Sequence, residues 1–395
     1  MIYLDNGATT FPKPEVVYQA MDTFARTGAV NAGRGAYAAA RAADQMIKNV
    51  RTGLISLMDA REQAQVVLTP SVTIALNQII YGQAWTEKSI AYVSPYEHNS
   101  VLRPLDVLSK KIGFQVLELP LAEDLSIDLA KTAAMFEENP PSFVAVTAVS
   151  NVTGYILPHR EIFRLARRYG AFNLLDGSQA VGLIRLPFAQ TMADAICFAG
   201  HKTLYGPFGI AGFLIKNSAK LQVTLAGGTG TKSEDLAMPT SLPGSMEAGS
   251  KDTVAIAGLE AALKWLPSVK PLEHECAMVA HFIEEAGKID GVELYCAPGG
   301  LQNQAGVVSF GVRGFKAIEV AAILDNKYDI AVRAGHHCAA LIHQHLGSNK
   351  YAGTVRVSPG YFNTMEDIEV LLIALRNLDR SQLEGVADDI LRGAC

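Results

Sequence analysis

Lysine, carboxylate, imidazole and thiol groups recur in this sequence at the ends of apolar runs, where reactive side chains are costly unless they have work to do. The sharpest case is Ala195-Ile196-Cys197-Phe198-Ala199-Gly200-His201-Lys202. The five apolar residues have the length and composition of a buried strand, and a lysine follows at once. A charged amine there carries a desolvation penalty. A lysine with a lowered pKa can form a Schiff base with an aldehyde cofactor. Alone, a lysine snorkelling out at a strand end is the simpler reading. Upstream, Phe172-Asn173-Leu174-Leu175-Asp176 is a second such run, ending in a carboxylate 26 residues before Lys202. Pyridoxal phosphate needs both groups, a carboxylate on its pyridine nitrogen and an amine for its aldehyde. In one parallel sheet both residues would open on the same edge. Gln179 is then placed to reach the ring hydroxyl. The alternative for Asp176 is a helix N-cap ahead of Gly177-Ser178-Gln179.

Three further sites carry chemistry. The strand-like Gln65–Thr69 leads through Ser71, Val72 and Thr73 into a helix pattern, which makes an anion site of amide N–H groups plus the Thr73 hydroxyl. Ile90–Val93 leads to His98, whose imidazole can stack on a cofactor ring. The third site is Cys338, with Arg333, His336 and His337 close by. A thiolate is favoured by such neighbours. With His343 and His345 the stretch also invites a metal reading. An extended chain would point His336 and His337 to opposite faces and no local Asp or Glu joins them, so no metal is expected. Arg356, between Val355 and Val357 on a strand pattern, is a buried guanidinium that wants a carboxylate.

Four motifs together carry a resemblance: Leu4-Asp5-Asn6-Gly7-Ala8-Thr9-Thr10, Asp176-Gly177-Ser178-Gln179, Ala199-Gly200-His201-Lys202, and Arg333-Ala334-Gly335-His336-His337-Cys338-Ala339. In this order they resemble the cysteine desulfurases and selenocysteine lyases, class V, fold-type I pyridoxal-phosphate enzymes. The resemblance implies an α/β fold with a large domain over 15–255. The smaller domain would combine the arm 1–14 with a C-terminal α/β unit, 256–395. It implies that Lys202, Cys338 and His98 are catalytic. Cofactor binding falls to Val72, Thr73, His98, Asn151, Asp176, Gln179, Gly200, His201 and Lys202. Ser250, in Glu247-Ala248-Gly249-Ser250, would reach the phosphate of a neighbouring subunit in a homodimer. Arg356 would clamp the substrate carboxylate, with Arg34 and Asn31 near the pocket, although an ordinary loop explains Arg34 equally well. Cys338 would take sulfur or selenium from L-cysteine or L-selenocysteine. Only 18 residues separate Cys338 from Arg356, which resembles the second desulfurase group, whose constrained loop often needs a sulfur-acceptor protein. Ser71-Val72-Thr73-Ile74 departs from the family's Gly-Ala-Thr-Glu, and Ser250 replaces its threonine. Other class V chemistry, such as transamination or epimerisation, is the alternative, as is a regulatory protein without turnover. Cys338 and Lys202 favour the desulfurase.

The elements that must hold these residues alternate. Strand patterns at 65–69, 90–93, 114–119, 143–149, 172–176 and 195–199 are separated by helical ones, including 125–137. This predicts a doubly wound, mostly parallel sheet. Gly209–Ile215 reads as an edge strand, and 225–250 as a long loop. The last third supplies a second α/β unit. Hydrophobic residues make up 49% of the 395 and charged ones 18%, so the chain is globular. A net charge of −5 without basic blocks argues against nucleic acid. No apolar run suggests a membrane span, and the N-terminus has no signal-peptide pattern, which points to the cytoplasm. The five cysteines form no Cys-x-x-Cys, so neither a disulfide framework nor a zinc ribbon is expected.

Overall fold

The computed structural model describes residues 1–32, 35, 37–230 and 235–384. A short strand, β1 (Ile2–Tyr3), opens the chain. Seven strands then build the central sheet: β2 (Ala64–Thr69), β3 (Ile90–Val93), β4 (Gln115–Glu118), β5 (Phe143–Thr147), β6 (Phe172–Asp176), β7 (Ala195–Ala199) and β8 (Ala211–Lys216). Their order is β2-β8-β7-β6-β5-β3-β4. Strands β3 to β7 are parallel to their neighbours in that group, and β8 runs antiparallel to both β2 and β7. The expectation of an edge strand near 209–215 is therefore wrong: β2 forms that edge and β8 lies inside it. The cause is visible in the composition. Ala211-Gly212-Phe213-Leu214-Ile215 is apolar on both faces and wholly buried, as an interior strand must be.

Period-2 alternation distributes the sheet between two cores. Along β7, Ile196 and Phe198 join one cluster, with Met46, Val50 and Leu54 of the helix Ala38–Leu57. Ala195 and Cys197 join the other, with Leu76, Ile79 and Leu105 from the helices Val72–Tyr81 and Asn99–Ile112. Burial pushes the Cys197 thiol pKa up, so it is an inert core residue. One helix starts later than its pattern predicts, at Leu129 rather than Leu125. Asp128 caps it by accepting the Lys131 N–H, and Leu125 sits at φ 67° in a turn. Among the described residues, the chain from Asn217 to Asp252 holds no helix or strand.

A second, antiparallel sheet follows: β9 (Val292–Tyr295), β10 (Val308–Val312), β12 (Arg333–Gly335) and β13 (Thr354–Val357), in the order β12-β13-β10-β9. Between them β11 (Ile330–Ala331) pairs in parallel with β1. Leu4 accordingly packs in the second unit's core with Phe282, Phe310 and Leu371. The helix Thr253–Trp265 still packs in the first core through Ile256 and Leu259, so the chain crosses to the second unit beyond it.

Candidate active site

The parallel strands deliver Thr147, Asp176 and, just beyond β7, Lys202 to one cavity of about 220 Å³ at their carboxyl ends, as an open α/β sheet dictates. Thr73, Val72, His98, Asn151, Gln179, His201, Arg333, His337 and Arg356 share its wall. Asp176 is buried, and its Oδ1 accepts from the Ser178 N–H at 3.0 Å and the Ser178 hydroxyl at 2.5 Å. Burial lowers the Lys202 pKa to about 8. Asp176 opposes that fall, and Arg356 and Arg333 add to it. A substantial fraction of the amine is thus neutral near pH 7–8, as a nucleophile requires.

His98 caps the helix Asn99–Ile112. Its Nδ1 accepts the Ser100 N–H at 3.0 Å, and a backbone N–H can only donate. The neutral ring therefore carries its proton on Nε2. Burial, aided by Lys202, lowers its pKa to about 4, so it is uncharged at neutral pH. The Thr73 hydroxyl lies 3.1 Å from that of Ser100, at the first turn of Val72–Tyr81, where N–H groups lack helical partners. Ser71 caps this turn by accepting from Ile74, which replaces the glycine-led cradle of the resembling family. Gln179 donates to the Gly7 carbonyl at 2.7 Å.

The opposite wall comes from the second sheet. Arg356 on β13 is 1% exposed. Its Nη2 pairs with Asp5 at 2.5 Å and its Nη1 donates to the Asn151 carbonyl at 3.2 Å. Asn151 in turn donates to the His337 carbonyl at 2.7 Å. His337 and Cys338 both have left-handed backbones, φ 48° and 58°, which is uncommon for non-glycine residues and must be held from outside. The holds are explicit. The His337 ring meets Thr354 Oγ1 at 2.9 Å, and the Asn99 N–H donates to the Cys338 carbonyl at 2.6 Å. The Cys338 sulfur lies 3.9 Å from Nη2 of Arg333. The chain is thus a turn at His337-Cys338 and not an extended segment. Among the described residues no group of three His, Cys, Asp or Glu could hold an ion. Burial keeps His337 well below its ordinary pKa, and His343 at about 4.

Other residues singled out in the sequence lie elsewhere. Gly200 is not on the cavity wall. It lets β7 and the chain entering β8 touch, since a Cβ would stand 2.4 Å from the Ile210 carbonyl oxygen. Ser250 and Asn31 are exposed and face a different cavity, of about 590 Å³, with Lys48, Arg51 and Lys251. The segment before Ser250 is fixed by buried Glu247, paired with Arg51 at 2.8 Å and Lys251 at 3.0 Å. Arg34 lies outside the described residues.

The N-terminal arm contributes more than its pattern announced. Thr9 Oγ1, the Thr10 N–H and Lys13 Nζ all donate to the His201 carbonyl, bracing the turn that carries Lys202. Burial lowers the Lys13 pKa to about 7. The Leu4–Thr10 motif contains Asp5 but gave it no role, and nothing local marked Lys13. Glu97, fully buried beside the cavity, was also missed. Its Oε1 accepts from Ser94 and the Thr147 N–H, and burial raises its pKa to about 8.

This fold and site coincide with a family match. Residues 2–371 fit the model of "Aminotransferase class-V", and the chain belongs to that family. Among curated relatives, a "Probable cysteine desulfurase" of Methanothermobacter thermautotrophicus is 31% identical, covering 94% of this chain and 92% of the relative. A "Cysteine desulfurase" of Shigella flexneri is 29% identical, covering 96% and 94%. Among solved structures, the apo cysteine desulfurase of Thermococcus onnurineus NA1 superposes with a TM-score of 0.88 at 28% identity, covering 96% of this chain and 95% of that one. The cysteine desulfurase CsdA of Escherichia coli, in an S-sulfonic acid form, gives 0.82 at 26% identity, with 98% and 95% covered.

Proposed function

We propose that this chain is a pyridoxal-phosphate-dependent cysteine desulfurase, converting L-cysteine to L-alanine with its sulfur carried off on Cys338. The observation that carries the reading is the facing of two walls. An amine and a carboxylate stand on one, and two guanidinium groups with the thiol beside them on the other. The donor set fits the cofactor. Asp176 would hold the ring nitrogen, Lys202 the aldehyde, His98 the ring face, and Val72 and Thr73 the phosphate. Gln179 and Asn151 would meet the ring hydroxyl. When bound, pyridoxal phosphate supplies an electron sink for charge building beside the substrate's α-carbon.

The chain's own residues do the rest. Arg356 orients the substrate carboxylate by paired N–H donation. Lys202, with its pKa near neutrality, takes and returns protons. The Arg333 guanidinium stands 3.9 Å from the Cys338 sulfur. Cys338, as its thiolate, bonds to the substrate sulfur as the carbon–sulfur bond breaks, and Lys202 protonates the carbon left behind. The pinned His337-Cys338 turn supports delivery to an acceptor protein that comes to the thiol. Exposed Ser250, on a buried ion-pair anchor and away from its own Lys202, supports a homodimer in which it serves the neighbouring site. Cys197, Cys276, Cys296 and Cys338 are free thiols, in keeping with a cytoplasmic location. Among the described residues no helix is long and apolar enough to cross a membrane.

The test is alanine and sulfide release from L-cysteine and L-selenocysteine by wild type and Cys338→Ser. Cysteine turnover lost in the variant, with cofactor absorbance kept, supports the reading. Equal release by both would mean that Cys338 does not carry the sulfur, and release by neither would favour a transaminase or epimerase on the same scaffold.

A further inference from the structure

The small-sheet wall of the cavity has an unusual charge arrangement. Arg333 on β12 and Arg356 on β13 are directly opposite each other in the antiparallel register. Like charges in such a pair repel. The carboxylate that pairs with Arg356 is Asp5, from the N-terminal arm, with Oδ1 2.5 Å from Arg356 Nη2. Asp5 is held independently of that contact. Its backbone bridges Ser358, its carbonyl accepts from Tyr3, and the Asn6 N–H donates to the Ser358 carbonyl at 3.0 Å. Gly7 lies against the same guanidinium, where a Cβ would come within 3.2 Å of Cζ. The backbone that carries the carboxylate is therefore fixed against Arg356 by contacts of its own.

With Cys338 as the neutral thiol, two guanidinium charges and one carboxylate leave one surplus positive charge on this side. On the facing wall, Asp176 and Lys202 offset one another whenever Lys202 is protonated. Arg356 retains unspent donors: of five N–H groups, Asp5 and the Asn151 carbonyl take two, and Nε has no partner. We propose that Asp5 is a specificity-determining residue, which sets the surplus charge facing the substrate at one and so selects amino acids with a single carboxylate over those with a second acidic group. It acts through Arg356, as a positioning and charge-setting residue. Without it two unpaired guanidinium groups would face the cavity, an arrangement suited to a dianionic substrate.

This inference rests on Arg356 as the carboxylate clamp of the proposed function. It is tested on the cofactor-loaded enzyme by titrating the visible absorbance of the cofactor with L-alanine and, separately, with L-aspartate. Wild type should respond to alanine at much lower concentration than to aspartate. Asp5→Asn keeps the shape and one acceptor but removes the charge. It should shift the aspartate-to-alanine affinity ratio towards aspartate by on the order of tenfold, about the effect of 1.4 kcal/mol. Asp5→Glu, which keeps the charge, should stay near the wild-type ratio. An unchanged ratio in Asp5→Asn overturns the proposal while leaving the clamp intact. So does wild type binding aspartate as well as alanine, a result that needs no variant to fold. Should alanine fail to bind wild type at all, the clamp itself is wrong, and the proposal falls with it.

Discussion

The two walls of the cavity are built in opposite ways. Asp176 ends a parallel strand buried from Asn173 onward and Lys202 follows a fully buried one, so their positions are set by regular backbone in the middle of a seven-stranded sheet. Cys338 and His337 sit in a left-handed turn that no regular element dictates, fixed by side-chain bonds to Asn151 and Thr354 and by a backbone bond to Asn99. Sheet geometry is insensitive to single changes outside the core, whereas a turn held by a few hydrogen bonds fails when one is lost. The cofactor wall should thus be robust and chemically demanding, and the sulfur wall locally fragile.

The largest effect should come from the robust wall. Lys202→Ala removes the amine that no neighbour can replace. Activity should fall by at least about a thousandfold, with no shift of cofactor absorbance on mixing, while the fold persists by circular dichroism. Retained absorbance would mean another amine holds the cofactor.

On the fragile wall, His337→Ala strips the ring from Thr354 and leaves that buried hydroxyl without its partner. Stability should fall by about 1–3 kcal/mol in denaturant melts, and sulfur release should drop more than cofactor affinity. If both drop in parallel, the two walls are not independent.

The third expectation concerns pH. Because burial lowers Lys202 to about 8, its neutral form grows as pH rises through that value. Stopped-flow recombination of apoprotein with pyridoxal phosphate should accelerate from pH 7 to 9 and then level off. An ordinary lysine would still be accelerating at pH 9.

The smallest effect is a stability slope. His98 and His343, lowered to about 4, stay neutral in the folded chain where the unfolded chain's histidines protonate near 6.5. Between those values the unfolded state binds more protons, so stability falls as pH drops from about 6.5 to 4. Thermal melts over that range should show it, and His343→Gln should flatten the slope slightly.

The same contrast explains what could be read from the sequence. Strands β5 and β7 are uninterrupted apolar runs and β6 is broken only by Asn173, each closed by a polar or small residue, so Asp176 and Lys202 were legible as strand-end chemistry before any resemblance was invoked. The interior place of β8 was also written in its two-faced apolar composition. Asp5 and Lys13 were not legible. Their partners, Arg356 and the His201 carbonyl, are 351 and 188 residues away, and a carboxylate or amine in an irregular arm does not reveal its partner locally. The conformation of His337 and Cys338 was hidden for the same reason, since their left-handed backbones depend on Asn151, Asn99 and Thr354 from distant elements.

The central claim is that Cys338 receives the substrate's sulfur. Intact mass spectrometry of the cofactor-loaded protein, after brief exposure to L-cysteine without reductant or acceptor, tests it most directly. The account predicts a gain of one sulfur atom, mapped by peptide digestion to the fragment containing Cys338, absent from Cys338→Ser and removed by dithiothreitol. Alanine formation with no sulfur on Cys338, or with the sulfur on Cys276 or Cys296 instead, would contradict it.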